Sequence, residues 1–120
     1  MTTDFYSVSE WRQQSDSLSC RLAFDAGHRI FQGHFPGNPI VPGVCSLAIL
    51  KSLLERATQH HLILRESSMI KFLGLIRPES RPTVHMNWHQ ENGLIAATAS
   101  LLGADAPLLK LSAKYAAIPG

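Results

Sequence analysis

Charge is scarce in this chain of 120 residues: Asp, Glu, Lys and Arg make up only 17% of it, against ~25% in an ordinary domain. So lightly charged a small chain has much apolar surface to hide, and an oligomeric interface is a natural place for it. The eleven Lys and Arg residues never stand side by side, and the formal net charge is +2. That balance excludes the basic runs of a nucleic-acid-binding surface. Cysteine is scarce too. Cys20 and Cys45 have no C-x-x-C spacing and no clustered partners, so they form neither a zinc site nor a disulfide framework. Both read as reduced thiols, which points to the cytosol. Met1 to Glu10 lacks the basic start and apolar stretch of a signal peptide. The longest apolar run, Ile40 to Leu50, is interrupted by Pro42, Gly43 and Ser46 and is too short to span a bilayer. The expectation is a cytoplasmic protein without a membrane span, one domain over 1–120, since a typical domain runs ~100–150 residues.

What is present is an order of elements. Leu18, Cys20, Leu22 and Phe24 alternate with polar or small residues in Ser17–Phe24, the period of a half-buried strand. Asp25-Ala26-Gly27 is a turn signal. Pro36, Pro39 and Pro42 then bar regular structure, because each lacks a donor and restricts its predecessor. From Val44 to about His60 there is neither Gly nor Pro, and Val44, Leu47, Ala48, Leu50, Leu54 and Ala57 recur at helical spacing. With Cys45 and Ile49 added, the first two turns are apolar nearly all round, which predicts burial on most sides. The second half has a polar face that must meet water. Strands are predicted over Ser68–Arg77, Thr83–Gln90, Leu94–Leu102 and Leu108–Ile118, with Glu91-Asn92-Gly93 as a hairpin signal. One helix followed by a four-strand antiparallel meander argues an α+β fold.

The informative stretch is Gly33-His34-Phe35-Pro36-Gly37-Asn38-Pro39-Ile40-Val41-Pro42-Gly43-Val44. It resembles the signature of the β-hydroxyacyl-acyl-carrier-protein dehydratases, in which G-H-F-P-G-x-P-hydrophobic-x-P-G-V precedes the central helix. The resemblance runs more loosely from Ser17 to Ala117. It implies a hotdog fold, an antiparallel sheet wrapped around one central helix. It also implies a dehydratase-type subunit acting on 3-hydroxyacyl thioesters of acyl carrier protein or coenzyme A, in fatty acid, lipid A or polyene synthesis. No cofactor and no metal are implied. The partner would be a second hotdog subunit, in a homodimer or a heterodimer.

The residues suit that chemistry. Dehydration needs a base for an α-proton, an acid for the departing hydroxyl, and donors for a carbonyl turning enolate-like. His34 is the candidate base, since a neutral imidazole works near its reference pKa of ~6.5. Gly43 opens the helix, where free N–H groups and the positive dipole end point outward and no Cβ blocks a thioester oxygen. The resemblance makes Phe35, Pro36, Gly37, Ile40 and Val44 the substrate-binding surroundings, and implies a non-proline cis bond at His34–Phe35. The family's acid, Glu or Asp, stands fourteen residues after the histidine. That position is Ala48, and no carboxylate occurs between His34 and Glu55.

Ala48 itself reads as a helix core residue. Glu55 lies ~10 Å further along the helix axis and reads as a solvated helix residue. In the family the histidine of one subunit meets the acid of the other, so a homodimer of this chain would have two histidines and no acid. A heterodimer with an acid-bearing relative would hold one complete site. Two rival readings remain: a non-catalytic acyl-binding or stabilising subunit, and an acyl thioesterase on the same fold. His85 and His89 share one strand face ~13 Å apart, too far to chelate one metal, and read as exposed or interfacial. Arg65, Lys71, Arg77 and Arg81 form a mildly basic segment, either a solvated strand edge or a landing place for an acidic carrier protein.

Overall fold

The structure is a computed structural model and describes residues 5–31, 37 and 39–119. Six strands and one long helix account for most of them: β1 (Tyr6–Gln13), β2 (Ser17–Phe24), α1 (Gly43–Thr58), β3 (His61–Phe72), β4 (Thr83–Glu91), β5 (Leu94–Leu102) and β6 (Pro107–Ile118). A single 3-10 turn, Arg29–Phe31, precedes the helix. The strands form one antiparallel sheet in the order β1-β2-β4-β5-β6-β3. The fold is the expected hotdog, α+β with the sheet wrapped around the helix.

Alternation builds the core. Leu18, Cys20 and Leu22 of β2, Val84 and Met86 of β4, Ile95, Ala97, Ala99 and Leu101 of β5, and Leu109, Leu111, Ala113 and Tyr115 of β6 are buried. Cross-strand pairs such as Cys20↔Val84, Val84↔Leu101 and Leu101↔Leu109 put them on one face of the sheet. The helix meets this face with Ser46, Ile49, Leu50, Leu53, Leu54 and Ala57, an i, i+3/i+4 stripe. The opposite sheet face carries His85, Asn87, His89, Thr98, Lys110 and Lys114. His85 and His89 are exposed there, as the sequence suggests. The β4–β5 hairpin turns on Asn92 and Gly93, with φ of 52° and 78°, the left-handed pair that a two-residue turn requires.

Several expectations need correction. The N-terminal segment contains a strand, β1, that composition did not reveal. It is polar, exposed along one edge of the sheet, and bulged between Ser9 and Arg12, where Glu10 takes φ 54°. A bulged, charged edge resists pairing with another chain. The strand predicted over Ser68–Arg77 is displaced: β3 begins at His61, directly after the helix, and ends at Phe72. It pairs with β6 and not with β4, so only β4, β5 and β6 form a meander. The start of the helix is not buried on most sides. Val44 is 76% exposed, because the sheet covers only the side of α1 that carries Ser46 and Ile49.

Candidate active site at the helix start

The helix begins on a proline. Pro42, with φ −60° and ψ 145°, is the N-cap and offers no side-chain acceptor. Its carbonyl accepts the N–H groups of Cys45 and Ser46 at 3.0 and 3.1 Å. Among the described residues no acceptor meets the Gly43 or Val44 N–H. No acidic residue stands in the first turn. The helix dipole therefore presents two donors to whatever approaches Gly43, uncompensated by any local charge.

This end of the helix is fixed in place by the chain around it. Val41 N–H donates to the Ile76 carbonyl at 2.7 Å, and Leu73 and Gly74 both donate to the Leu108 carbonyl at 2.9 and 3.2 Å. The loop before α1, the connection after β3 and the start of β6 are thus tied together around Gly43. A Cβ on Gly43 would meet the Phe72 ring at 3.0 and 3.1 Å, tighter than ordinary van der Waals contact. A side chain here would have to push that ring aside by a few tenths of an ångström.

Of the predicted site residues, His34, Phe35 and Pro36 lie outside the described residues, as does the His34–Phe35 peptide. Gly37 is exposed with φ 80°, a conformation that favours glycine. Ile40 is half-buried beside Val41. Val44 and Ala48 stand one helical turn apart on a common face. Ala48 is only half-buried, a correction to its reading as a core residue: it borders the face that the sheet leaves uncovered. Glu55 also needs correction. It is half-buried, and its Oε2 accepts the Leu62 N–H at 2.8 Å, so it ties the first turn of β3 to the helix and is not freely solvated. Ser46 is buried and its hydroxyl lies 3.5 Å from the Pro42 carbonyl. Burial pushes the Cys45 thiol above its ordinary value, so it stays neutral near pH 7. Among the described residues no cluster of His, Cys, Asp or Glu could hold a metal ion.

One feature escaped the sequence reading. Of eight exposed large apolar residues among the described residues, six, Ile63, Leu64, Ile70, Phe72, Leu73 and Leu75, fall on β3 or just after it. Leu64, Ile70 and Phe72 pair with Tyr115, Leu111 and Leu109, all buried, so they lie on the helix side of the sheet. β3 is nevertheless the outermost strand, and the helix, though it touches Leu62 and Phe72 of β3, leaves these side chains open. An apolar run in sequence looks the same whether it is central or at an edge; only the strand order separates the two. A cavity of about 510 Å³ lies on the opposite sheet face, lined by residues such as Glu66, Asn87, His89 and Lys114, and none of the predicted site residues among the described residues borders it.

Comparison with known proteins agrees with this geometry. Residues 10–101 match the model of the ApeI-like family, described as ApeI dehydratase. The 3-hydroxyacyl-acyl-carrier-protein dehydratase FabZ of Levilactobacillus brevis is 30% identical over 98 residues, covering 72% of this chain and 65% of that one. FabZ of Lactobacillus helveticus is 31% identical over 83 residues, covering 63% and 56%. The match thus spans less than two thirds of the length of these curated relatives. Among solved structures, the dehydratase heterocomplex ApeI:P from Xenorhabdus doucetiae superposes with a TM-score of 0.77 at 20% identity, covering 92% of this chain and 96% of that one. A hypothetical thioesterase from Streptococcus pneumoniae, solved with coenzyme A, gives 0.68 at 10% identity, covering 94% and 85%. With the dehydratase model spanning most of its length and its helix opening on a bare glycine in the hotdog manner, the chain belongs to the ApeI-like dehydratase family.

Proposed function

We propose that this chain is a dehydratase-type subunit acting on 3-hydroxyacyl thioesters carried by acyl carrier protein or coenzyme A. In this reading the Gly43 N–H, helped by that of Val44, holds the thioester carbonyl oxygen. His34 removes an α-proton, and negative charge moves onto that oxygen. Collapse of the enolate expels the β-hydroxyl, which leaves as water once protonated. Phe35, Pro36, Gly37, Ile40 and Val44 surround the acyl group. The observation that carries this reading is the helix start: two N–H donors without a described acceptor, no Cβ, and no acidic side chain to repel a developing oxyanion.

The proton donor for the leaving hydroxyl is absent from this chain's helix. Ala48 takes the acid's position, and Glu55 is engaged with Leu62. We assign the donor to a partner subunit. The exposed apolar residues at this edge support one, since four on the outermost strand β3 and two just after it are a surface that a second hotdog subunit would cover. The slot for the acyl chain would run between the two subunits and end near His34. That the Xenorhabdus doucetiae structure is a dehydratase heterocomplex favours an acid-bearing partner over a second copy of this chain.

A second reading follows from the same alanine: a stabilising subunit without chemistry of its own. Crotonyl thioester hydration, the reverse reaction, separates the two when measured on the chain in complex with its partner. Loss of activity in the His34→Ala complex, with the complex still assembled, supports the dehydratase subunit. Unchanged activity supports the stabilising one. Release of free thiol without hydration would instead favour a thioesterase, the class of the coenzyme A-bound neighbour.

A further inference from the structure

Phe72 occupies an unusual place. Its ring packs directly against the opening residue of the helix: the Cε1, Cζ and Cδ1 atoms lie 3.0, 3.1 and 3.7 Å from where a Gly43 Cβ would be. The contact is built rather than casual. Phe72 is the last residue of β3 and pairs with the buried Leu109. The two residues that follow it are both hydrogen-bonded to the Leu108 carbonyl, and the Val41–Ile76 bond holds the chain entering the helix against the same connection. These bonds hold the chain that carries the ring beside Gly43. Yet Phe72 is 55% exposed. One side of the ring rests on the glycine and the rest is open, at the end of the outermost strand.

A strand end in water gains nothing from so exposed an aromatic ring; leucine or a polar residue would close β3 as well. What this ring does that they would not is set a flat apolar wall against Gly43, the residue whose N–H is the proposed donor. Such a wall excludes water from one side of that donor, which strengthens a hydrogen bond to a carbonyl oxygen. It also offers apolar surface to the group attached to that carbonyl.

We infer that Phe72 is a positioning residue for the thioester, a wall that fixes the carbonyl over the Gly43 N–H. This inference rests on the reading of Gly43 as the carbonyl contact. Phe72 takes no part in proton transfer. It acts by shape, through the one contact that a glycine at the helix start permits.

The probe is crotonyl-coenzyme A, with binding measured by calorimetry on the chain as purified. The variants are Phe72→Ala, Phe72→Leu and Gly43→Ala, with the pair Gly43→Ala/Phe72→Ala. Phe72→Ala weakens binding roughly 10-fold, in the range that loss of a few apolar carbons from a pocket produces, and Phe72→Leu, which lacks the flat face, recovers only a small part of the loss. In the complex with an acid-bearing partner, Phe72→Ala raises KM for the crotonyl thioester while leaving the pH profile of hydration in place. Gly43→Ala weakens binding on the wild-type background and does so less when Phe72 is already Ala, because the ring no longer traps the added Cβ. Wild-type chain that binds crotonyl-coenzyme A, with folded Phe72→Ala binding equally well, would overturn this inference and leave the functional reading standing. An acyl thioester bound neither by the wild-type chain nor by its complex with an acid-bearing partner would overturn both.

Discussion

Placing a carboxylate at Ala48, where the proposed reaction needs an acid, is the perturbation with the largest calculable effect. In Ala48→Glu the carboxylate stands on the helix face shared with Val44, one turn beyond it. Ala48 is half-buried, so the added side chain keeps access to water and avoids the severe cost of an isolated buried charge. Glutamate and alanine differ by well under ~1 kcal/mol in helix propensity, so the variant should melt within a few degrees of the wild type. A general acid is worth ~10²–10⁴ in rate, which is ~3–5 kcal/mol of barrier. If His34 already stands across the interface of a homodimer, hydration of a crotonyl thioester should rise by roughly two orders of magnitude or more over the parent chain. The assay is the loss of enoyl thioester absorbance, with Ala48→Gln as the control: similar volume, hydrogen-bonding capacity, no acidity. A folded, dimeric Ala48→Glu no faster than Ala48→Gln would refute the reasoning, because the gap would then not be a missing acid.

Three further outcomes follow. Glu55→Ala should destabilise the chain by ~1–3 kcal/mol in denaturant titration, since it strips the partner from the N–H of Leu62, a fully buried residue; Glu55→Gln should recover part of that, whereas a catalytic Glu55 would instead lose activity at constant stability. Thiol labelling at pH 8 should modify Cys45, which is half-buried at the helix start, and spare Cys20, which is 1% exposed with burial pushing its thiol up to about 11. Because that value is raised by folding, the stability from keeping Cys20 neutral is complete below its unfolded value and is lost as pH climbs towards 11, so mass spectrometry showing rapid Cys20 labelling in the folded chain at pH 8 would contradict the packing. Ile70→Lys on β3 should convert an associated species to a smaller one in sedimentation without loss of secondary structure, whereas Val8→Lys on the bulged β1 edge should leave the assembly intact; the reverse pattern would place the partner on the wrong edge.

Much of the fold was legible because alternation and turn chemistry are local. Ser17–Phe24 and Leu94–Leu102 are strands at the boundaries their patterns suggest, and Asn92-Gly93 turns the hairpin it should. The errors fall where the deciding contact is distant in sequence. β1 alternates only briefly, Tyr6 and Val8 with Ser7 and Ser9, before the bulge at Glu10 breaks the period ahead of Trp11; it is held by pairing with β2, by Arg56 stacked 3.9 Å over the Trp11 ring, and by Gln13 donating to the Ala57 carbonyl. The start of β3 at His61 depends on a left-handed cap at Gln59, φ 62°, and on the Glu55–Leu62 bond, neither of which a hydrophobic period records. At the site, Gly43 stood out because its glycine, its proline neighbours and the helix start are adjacent in sequence. Phe72 was invisible for the opposite reason: it lies twenty-nine residues away in the chain and reaches Gly43 only through the order of strands.

The central claim is that His34 of this chain works with an acid that the chain does not itself carry on its helix. The most direct measurement is the crotonyl thioester hydration rate of the purified chain alone, of an acid-bearing hotdog partner in which the histidine is replaced by alanine, and of the two mixed. The account predicts near-background rates for each alone and recovered activity in the mixture, abolished by His34→Ala in this chain. A mixture no more active than its parts, with the complex demonstrably formed, would contradict it.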